Sequence, residues 1–299
     1  MIVIKNLVKE FPGPVHAVNH LTVNIDKGIN GLVGENGAGK STLLRLIADV
    51  YQPNSGEITI DELPNTDVSV KEKVFFLPDN PYAPSGATVR QTFAFYSILF
   101  DLDKVIFDKF ISKINLPQDR KVSTFSKGMK RLFFIAIALS SKASIIMLDE
   151  AFDGLDPLVL DVIKQEIIQH AEDKTYIVSS HNISILERLC DKFIVLSNGS
   201  CKVNSDIEHI GTSYVKYQIL FKQPKVTKEQ LIAFGYDVVS FKKLGSIYNI
   251  VFKDGIDIES LKDKFATVLC EQVPIDADEL IALEMISARK EDEPDEDIY

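Results

Sequence analysis

Nine residues, Gly34-Glu35-Asn36-Gly37-Ala38-Gly39-Lys40-Ser41-Thr42, constrain this chain more than any others. Two glycines flank four residues and are followed by Lys and Ser-Thr, the spacing of a phosphate-binding loop. Small residues let successive backbone N–H groups close around a polyphosphate, and a following helix aims its positive N-terminal end at that charge. Lys40 adds a cation for the outer phosphates, and Ser41 offers a hydroxyl to Mg²⁺. The flanking pattern agrees: Ile29–Val33 reads as a short buried strand and Ser41–Val50 as an apolar-periodic helix. Such a strand–loop–helix unit belongs to α/β folds.

The rest of the chain extends that reading. Strand-like runs at Ile2–Ile4, Leu21–Ile25, Ile29–Val33 and Ile58–Ile60 are punctuated by Gly13, Gly28 and Pro53-Asn54-Ser55-Gly56. From Thr88 to Leu139 the texture turns helical, with helices expected over Thr88–Phe100, Lys104–Ile114 and Lys130–Leu139. Buried-strand runs at Ile145–Leu148, Thr175–Ser179 and Phe193–Leu196 alternate with helical stretches Leu158–Ala171 and Ile183–Leu189, which implies a parallel sheet covered on both faces. A boundary is expected near Ile210–Ser213. Beyond it a β-α-β-β-α pattern over Tyr214–Ala266 suggests a small α+β domain. The acidic run Lys290–Asp297 reads as a disordered tail.

Composition narrows the partners. With 33 basic and 43 acidic residues the net charge is −10, which argues against a nucleic-acid backbone as the main ligand. The three cysteines, Cys190, Cys201 and Cys270, match no metal-ligand spacing and read as reduced thiols of a cytosolic protein. Met1–Lys5 runs straight into a strand rather than a signal peptide. No apolar stretch reaches the ~18–20 residues that span a bilayer, so any membrane crossing falls to another chain.

Ile145–Leu148 leads into Asp149-Glu150, a buried strand ending in two carboxylates. An ionised Asp at the C-terminal edge of such a strand can hold Mg²⁺, and the adjoining Glu150 can accept a proton from attacking water. Ser126-Lys127-Gly128-Met129 lies before this strand. After it come Phe152-Asp153-Gly154-Leu155-Asp156-Pro157 and Ser179-Ser180-His181.

These motifs, in this order, make residues 1–210 resemble the nucleotide-binding subunit of an ABC (ATP-binding cassette) transporter, of the drug- or antibiotic-export-like type with a separate permease. The resemblance implies a P-loop NTPase cassette of the α/β class, residues 1–210, with a helical subdomain at about 80–140. A small α+β accessory domain at 213–288 and the acidic tail at 289–299 complete the expected organisation. It further implies an ATPase that uses ATP and Mg²⁺, with Gly34–Thr42 around the phosphates, Ser41 and Asp149 on the metal, Glu150 as base and His181 as switch. Phe11 stands where the family stacks a ring on adenine. Ser126, Lys127 and Gly128 would reach the ATP of a second copy in a head-to-tail homodimer, with Asp156 on the loop between the copies.

Two positions depart from the family pattern. Lys127 and Met129 replace a Gly and the Gln of the usual signature, and Asp79, after Val74–Pro78, stands where the family has a metal-contacting Gln. Asp79 is thus a further candidate for the metal. The resemblance places the chain in the cytoplasm, on the inner face of the membrane, powering solute movement through an integral-membrane permease, with export favoured. The helical subdomain would receive a permease helix, and the aromatic positions Phe93, Phe95, Tyr96 and Phe100 would be either core or part of that groove. A soluble ABC ATPase acting on an assembly such as the ribosome is the alternative.

Overall fold

The computed structural model describes residues 1–13, 15–171, 173–206, 213–223, 225–276 and 279–283. It divides into two compact units, Met1–Asn204 and the part from Ser205 onward. The stretch around Ile210 and the acidic run Lys290–Asp297 lie outside the described residues.

The first unit contains two sheets. One is antiparallel, with strand order β2 (Val15–Ile25), β1 (Ile2–Phe11), β4 (Ser55–Ile60) and β5 (Leu63–Pro64). In β1, Ile2 and Ile4 are buried, and a register shift lies between Ile4 and Leu7 in the pairing with β2. Asn6, inside that shift, has φ +47°. Opposite it Gly56 is at φ +85°, where a Cβ would come within 2.3 Å of the Asn6 carbonyl oxygen, so the strand crossing requires glycine.

The second sheet has the order β10 (Ser200–Asp206), β9 (Lys192–Ser197), β3 (Gly28–Val33), β8 (Thr175–Ser180), β7 (Ile145–Asp149) and β6 (Val74–Leu77). The pairings of β6 with β7, β7 with β8, β8 with β3 and β3 with β9 are parallel. All five residues of β7 and all six of β8 are buried, as expected for strands covered on both faces. Leu32, Ile145, Met147, Ile177, Ile194 and Leu196 share a core with α1 (Lys40–Ile47) and the antiparallel sheet. The intervening Ile146, Leu148, Tyr176, Val178, Phe193 and Val195 are buried as well.

Short helix α2 (Val68–Lys71) precedes β6. The helical part follows: α3 (Val89–Leu99), α4 (Lys104–Lys113) and α5 (Lys127–Ser140). Each starts at a capping side chain. Thr88 and Gln91 form a reciprocal capping box, the Asp103 carboxylate accepts from the N–H groups of Val105 and Ile106, and Ser126 Oγ accepts from Met129 N–H. The Ser126 cap starts α5 at Lys127, ahead of the expected Lys130. The α3 aromatics turn mainly inward: Phe93 stacks on Phe107 at 4.0 Å and Tyr96 meets Phe134 edge-on at 5.9 Å. Helix α6 (Pro157–Ala171) carries the buried Glu166, which pairs with Lys109 and Lys113 of α4. Helix α7 (Ile183–Leu189) follows β8.

The second unit is a β-α-β-β-α-β fold: β11 (Tyr214–Phe221), α8 (Lys228–Ala233), β12 (Val238–Leu244), β13 (Ile247–Lys253), α9 (Ile258–Phe265) and β14 (Thr267–Val273). Its sheet runs β12-β13-β11-β14 with antiparallel neighbours. Ile219, Leu231, Ile250, Phe252 and Leu261 form its core. β14 completes the pattern read from sequence. No helix of the described residues is long and apolar enough to cross a membrane.

Candidate nucleotide site

Parallel register sets the geometry. Val33 at the end of β3 pairs with Ser180 of β8, and Asp149 at the end of β7 pairs with Ser179, so three strand ends meet at one level. β8 lies between β3 and β7, which places its serines between the phosphate loop and the carboxylate pair. This is the C-terminal edge of the parallel strands, where α/β sheets bind ligands.

Gly34–Gly39 forms the turn from β3 into α1, tightened by a hydrogen bond from Ala38 N–H to the Glu35 carbonyl at 3.1 Å. Gly39 caps α1 at φ +102°, and a Cβ there would lie 2.2 Å from the Ala17 carbonyl oxygen. No side chain caps the helix, which leaves its N-terminus open to an anion. Lys40 is only 6% exposed. Its Nζ donates to the carbonyls of Gly34 at 2.7 Å and Glu35 at 3.2 Å and stands 3.6 Å from Glu150 Oε1. The ammonium is thereby held inside the loop, beside the Glu150 carboxylate.

Asp149 is fully buried. Its Oδ1 accepts from Ser41 Oγ at 3.0 Å and from Ser179 Oγ at 2.6 Å, while Oδ2 has no hydrogen-bond partner. A buried carboxylate oxygen without a donor is costly unless something positive meets it. A carboxylate and a hydroxyl side by side, with one oxygen free, suit Mg²⁺, which takes a few protein oxygens and keeps waters.

Glu150 follows at φ +51°, a left-handed conformation rare for glutamate. It is held there by its own N–H, which lies 3.1 Å from the Ser179 carbonyl and 3.0 Å from Ser179 Oγ. The side chain reaches His181, whose Nδ1 is 2.9 Å from Glu150 Oε2 and 3.2 Å from Asp153 Oδ2. Burial raises the Glu150 carboxyl above the ordinary glutamate range, and the hydrogen-bonded Asp153 adds to the rise; His181 and Lys40 pull the other way without cancelling it. A carboxylate with raised proton affinity is better suited to take a proton from water near neutral pH.

Asp153 and Ser180 form a contact that the motifs alone did not announce. Ser180 Oγ donates to Asp153 Oδ1 at 2.7 Å and accepts from Asn182 N–H at 2.9 Å. The adjacent serines of Ser179-Ser180-His181 were the available signal, one turned to Asp149 and the other to Asp153.

The other expected residues stand elsewhere. Phe11 packs edge-on against Tyr51 at 5.6 Å, with Lys9 Nζ 5.4 Å from its ring. Asp156 is exposed, and its carboxylate accepts from Leu158 N–H at the start of α6. Ser126, Lys127 and Gly128 open α5. No hydrogen bond or ion pair among the described residues joins them to Lys40, Ser41, Asp149, Glu150 or His181. Asp79 is 58% exposed and faces the Arg131 guanidinium at 3.8 Å.

Residues 18–153 match the family model described as ABC transporter. The chain is 30% identical over 207 residues to the ABC transporter ATP-binding protein NatA of Bacillus subtilis, covering 66% of this chain and 84% of that protein. It is 29% identical over 215 residues to the Nod factor export ATP-binding protein I of Bradyrhizobium diazoefficiens, covering 67% and 70%. Among solved structures it resembles a dimeric bacterial ABC transporter cassette at 22% identity and a TM-score of 0.60, covering 69% of this chain and 98% of that one. The span matched by the family model contains the phosphate loop and the buried strand carboxylate, and the chain belongs to the ABC transporter family as a nucleotide-binding ATPase subunit.

Proposed function

We propose that this subunit binds Mg²⁺–ATP at Gly34–Thr42 and hydrolyses it with Glu150 as the general base. The observation that carries the reading is the convergence at three strand ends: Lys40 beside Glu150, Ser41 on a buried Asp149 with one free oxygen, and His181 against Glu150. Ser41 and Asp149 would hold Mg²⁺, which supplies charge neutralisation at the phosphates. Lys40 and the α1 N-terminus bind the outer phosphates, and Phe11 offers its ring to the base. His181 orients Glu150 and the γ-phosphate side of the site.

Ser126, Lys127 and Gly128 present an exposed helix N-terminus that fits the ATP of a second copy, with Asp156 on the adjoining loop, giving a head-to-tail homodimer. Coupling to transport runs through a separate integral-membrane permease, which keeps the subunit on the cytoplasmic face of the membrane. A docking place for an amphipathic permease helix is supported by two adjoining cavities of about 260 and 580 Å³ that share Lys71 and Phe100. Exposed Val50, Val68 and Leu99 line them, and Lys71, Glu72, Asp101 and Lys142 form a charged rim. The direction we propose is export, on the likeness to the Nod factor export protein.

Glu150→Gln tests the chemistry. Turnover should fall by ~10²-fold or more while ATP still binds, because the group that takes the proton is lost and the phosphate contacts are not. Steady-state hydrolysis with a fluorescent-nucleotide titration measures both. Normal turnover would remove Glu150 from the base role.

A further inference from the structure

We propose that Arg131 is a positioning residue that ties three segments of the hydrolytic site together, and that Asp79 serves this tie rather than the metal. The inference rests on the reading of the site given above. Arg131 lies in α5, which begins at Ser126–Gly128, and its side chain is only 14% exposed. Nη2 is 3.8 Å from Asp79 Oδ1, in the segment that follows β6. The other terminal nitrogen lies against the loop after β7: a methyl group on Gly154 would sit 3.6 Å from Nη1. Gly154 is at φ +72°, next to Asp153, which binds Ser180 and faces His181.

One planar guanidinium thus lies near both the β6 segment and the Asp153–Gly154 loop, on the helix that carries Ser126–Gly128. Its rigid fork suits two simultaneous neighbours, which a lysine ammonium would not reproduce. A half-exposed pair at this distance adds little to stability. Its effect lies in placement, since small displacements of groups around a reacting centre are costly in rate. The acid at position 79 has its counter-charge in Arg131.

The test uses the full chain carrying Asp79→Asn, Arg131→Gln, both together, or Arg131→Lys, with thermal unfolding to verify folding. Each single change should lower kcat about five- to tenfold, leaving the nucleotide Kd and its Mg²⁺ dependence within about twofold, as binding contacts are untouched. The double variant should lose no more than either single one, the signature of residues acting as a unit. Arg131→Lys should recover only part of the loss. Additive losses would overturn the proposal, as would a raised Mg²⁺ requirement for nucleotide binding in Asp79→Asn alone, which would return Asp79 to the metal. Glu150→Gln run alongside separates the failures: its loss of turnover with additive Asp79 and Arg131 effects discards only the tie, whereas its normal turnover discards the site reading.

Discussion

Glu150 combines three unfavourable conditions in one residue: a left-handed backbone, partial burial, and a neighbouring carboxylate on Asp153. Each is offset by a specific partner, Ser179 for the backbone N–H and His181 and Lys40 for the charge. Strain and raised proton affinity maintained in this way are the features the proposed base would use. The sign of the shift gives a pH prediction. A base acts when deprotonated, so the raised carboxyl places the acid limb of kcat/KM above the ordinary glutamate range. Asp153→Asn removes a neighbour that raises it, and the limb should move to lower pH in a pH–rate profile; an unmoved or higher limb would exclude Asp153 as a tuning partner. Gly34–Thr42, Asp149, Glu150 and His181 were legible in the sequence because each sits in a short run whose spacing follows from phosphate or carboxylate chemistry. Asp153–Ser180 and Asp79–Arg131 were not, because they join residues far apart in the chain and no periodicity connects them.

At the scale of elements, the long helices and buried strands were legible from apolar period, but the first turn of α5 was not, because the Ser126 cap starts it at Lys127, ahead of the apolar run. Short or half-exposed pieces were missed: α2, β5, β10 and the edge strand β14, where Thr267–Val273 has no fully buried residue to mark an alternation. The aromatic run of α3 belongs mainly to the core, and the open apolar surface is at its C-terminal end, at Ile98 and Leu99. Glu166 links two elements, holding α4 to α6 through Lys113 and Lys109. Burial alone would raise its carboxyl, but the Lys113 hydrogen bond and the two lysine charges outweigh this and hold it below the ordinary range. A lowered folded-state value means that the pair stabilises the fold above the ordinary glutamate range and stops doing so as pH falls through the lowered value. Glu166→Gln should therefore lower Tm at neutral pH by a few degrees, ~2–4 °C, with the gap closing in acid; differential scanning calorimetry across pH reads it. A gap independent of pH would mean that packing, not charge, is at stake.

For the whole molecule, the cassette at Met1–Asn204 carries every residue of the proposed chemistry, while the β-α-β-β-α-β unit has its own core and contributes none of them. Order and spacing of motifs made the cassette legible from end to end. The division after Asn204 falls within β10 of the cassette sheet, which runs to Asp206, shortly before the expected Ile210–Ser213. Among the described residues of one copy, no hydrogen bond or ion pair joins Ser126–Gly128 to Lys40, Ser41, Asp149, Glu150 or His181. A site assembled from two copies predicts that ATP joins them and hydrolysis lets them part. The direct measurement is sedimentation velocity of Glu150→Gln with Mg²⁺ and ATP, with ADP as control. The account predicts a dimer with ATP alone, which reverts to monomer when Ser126 is changed to Arg. A Glu150→Gln chain that binds ATP and sediments as a monomer would contradict it.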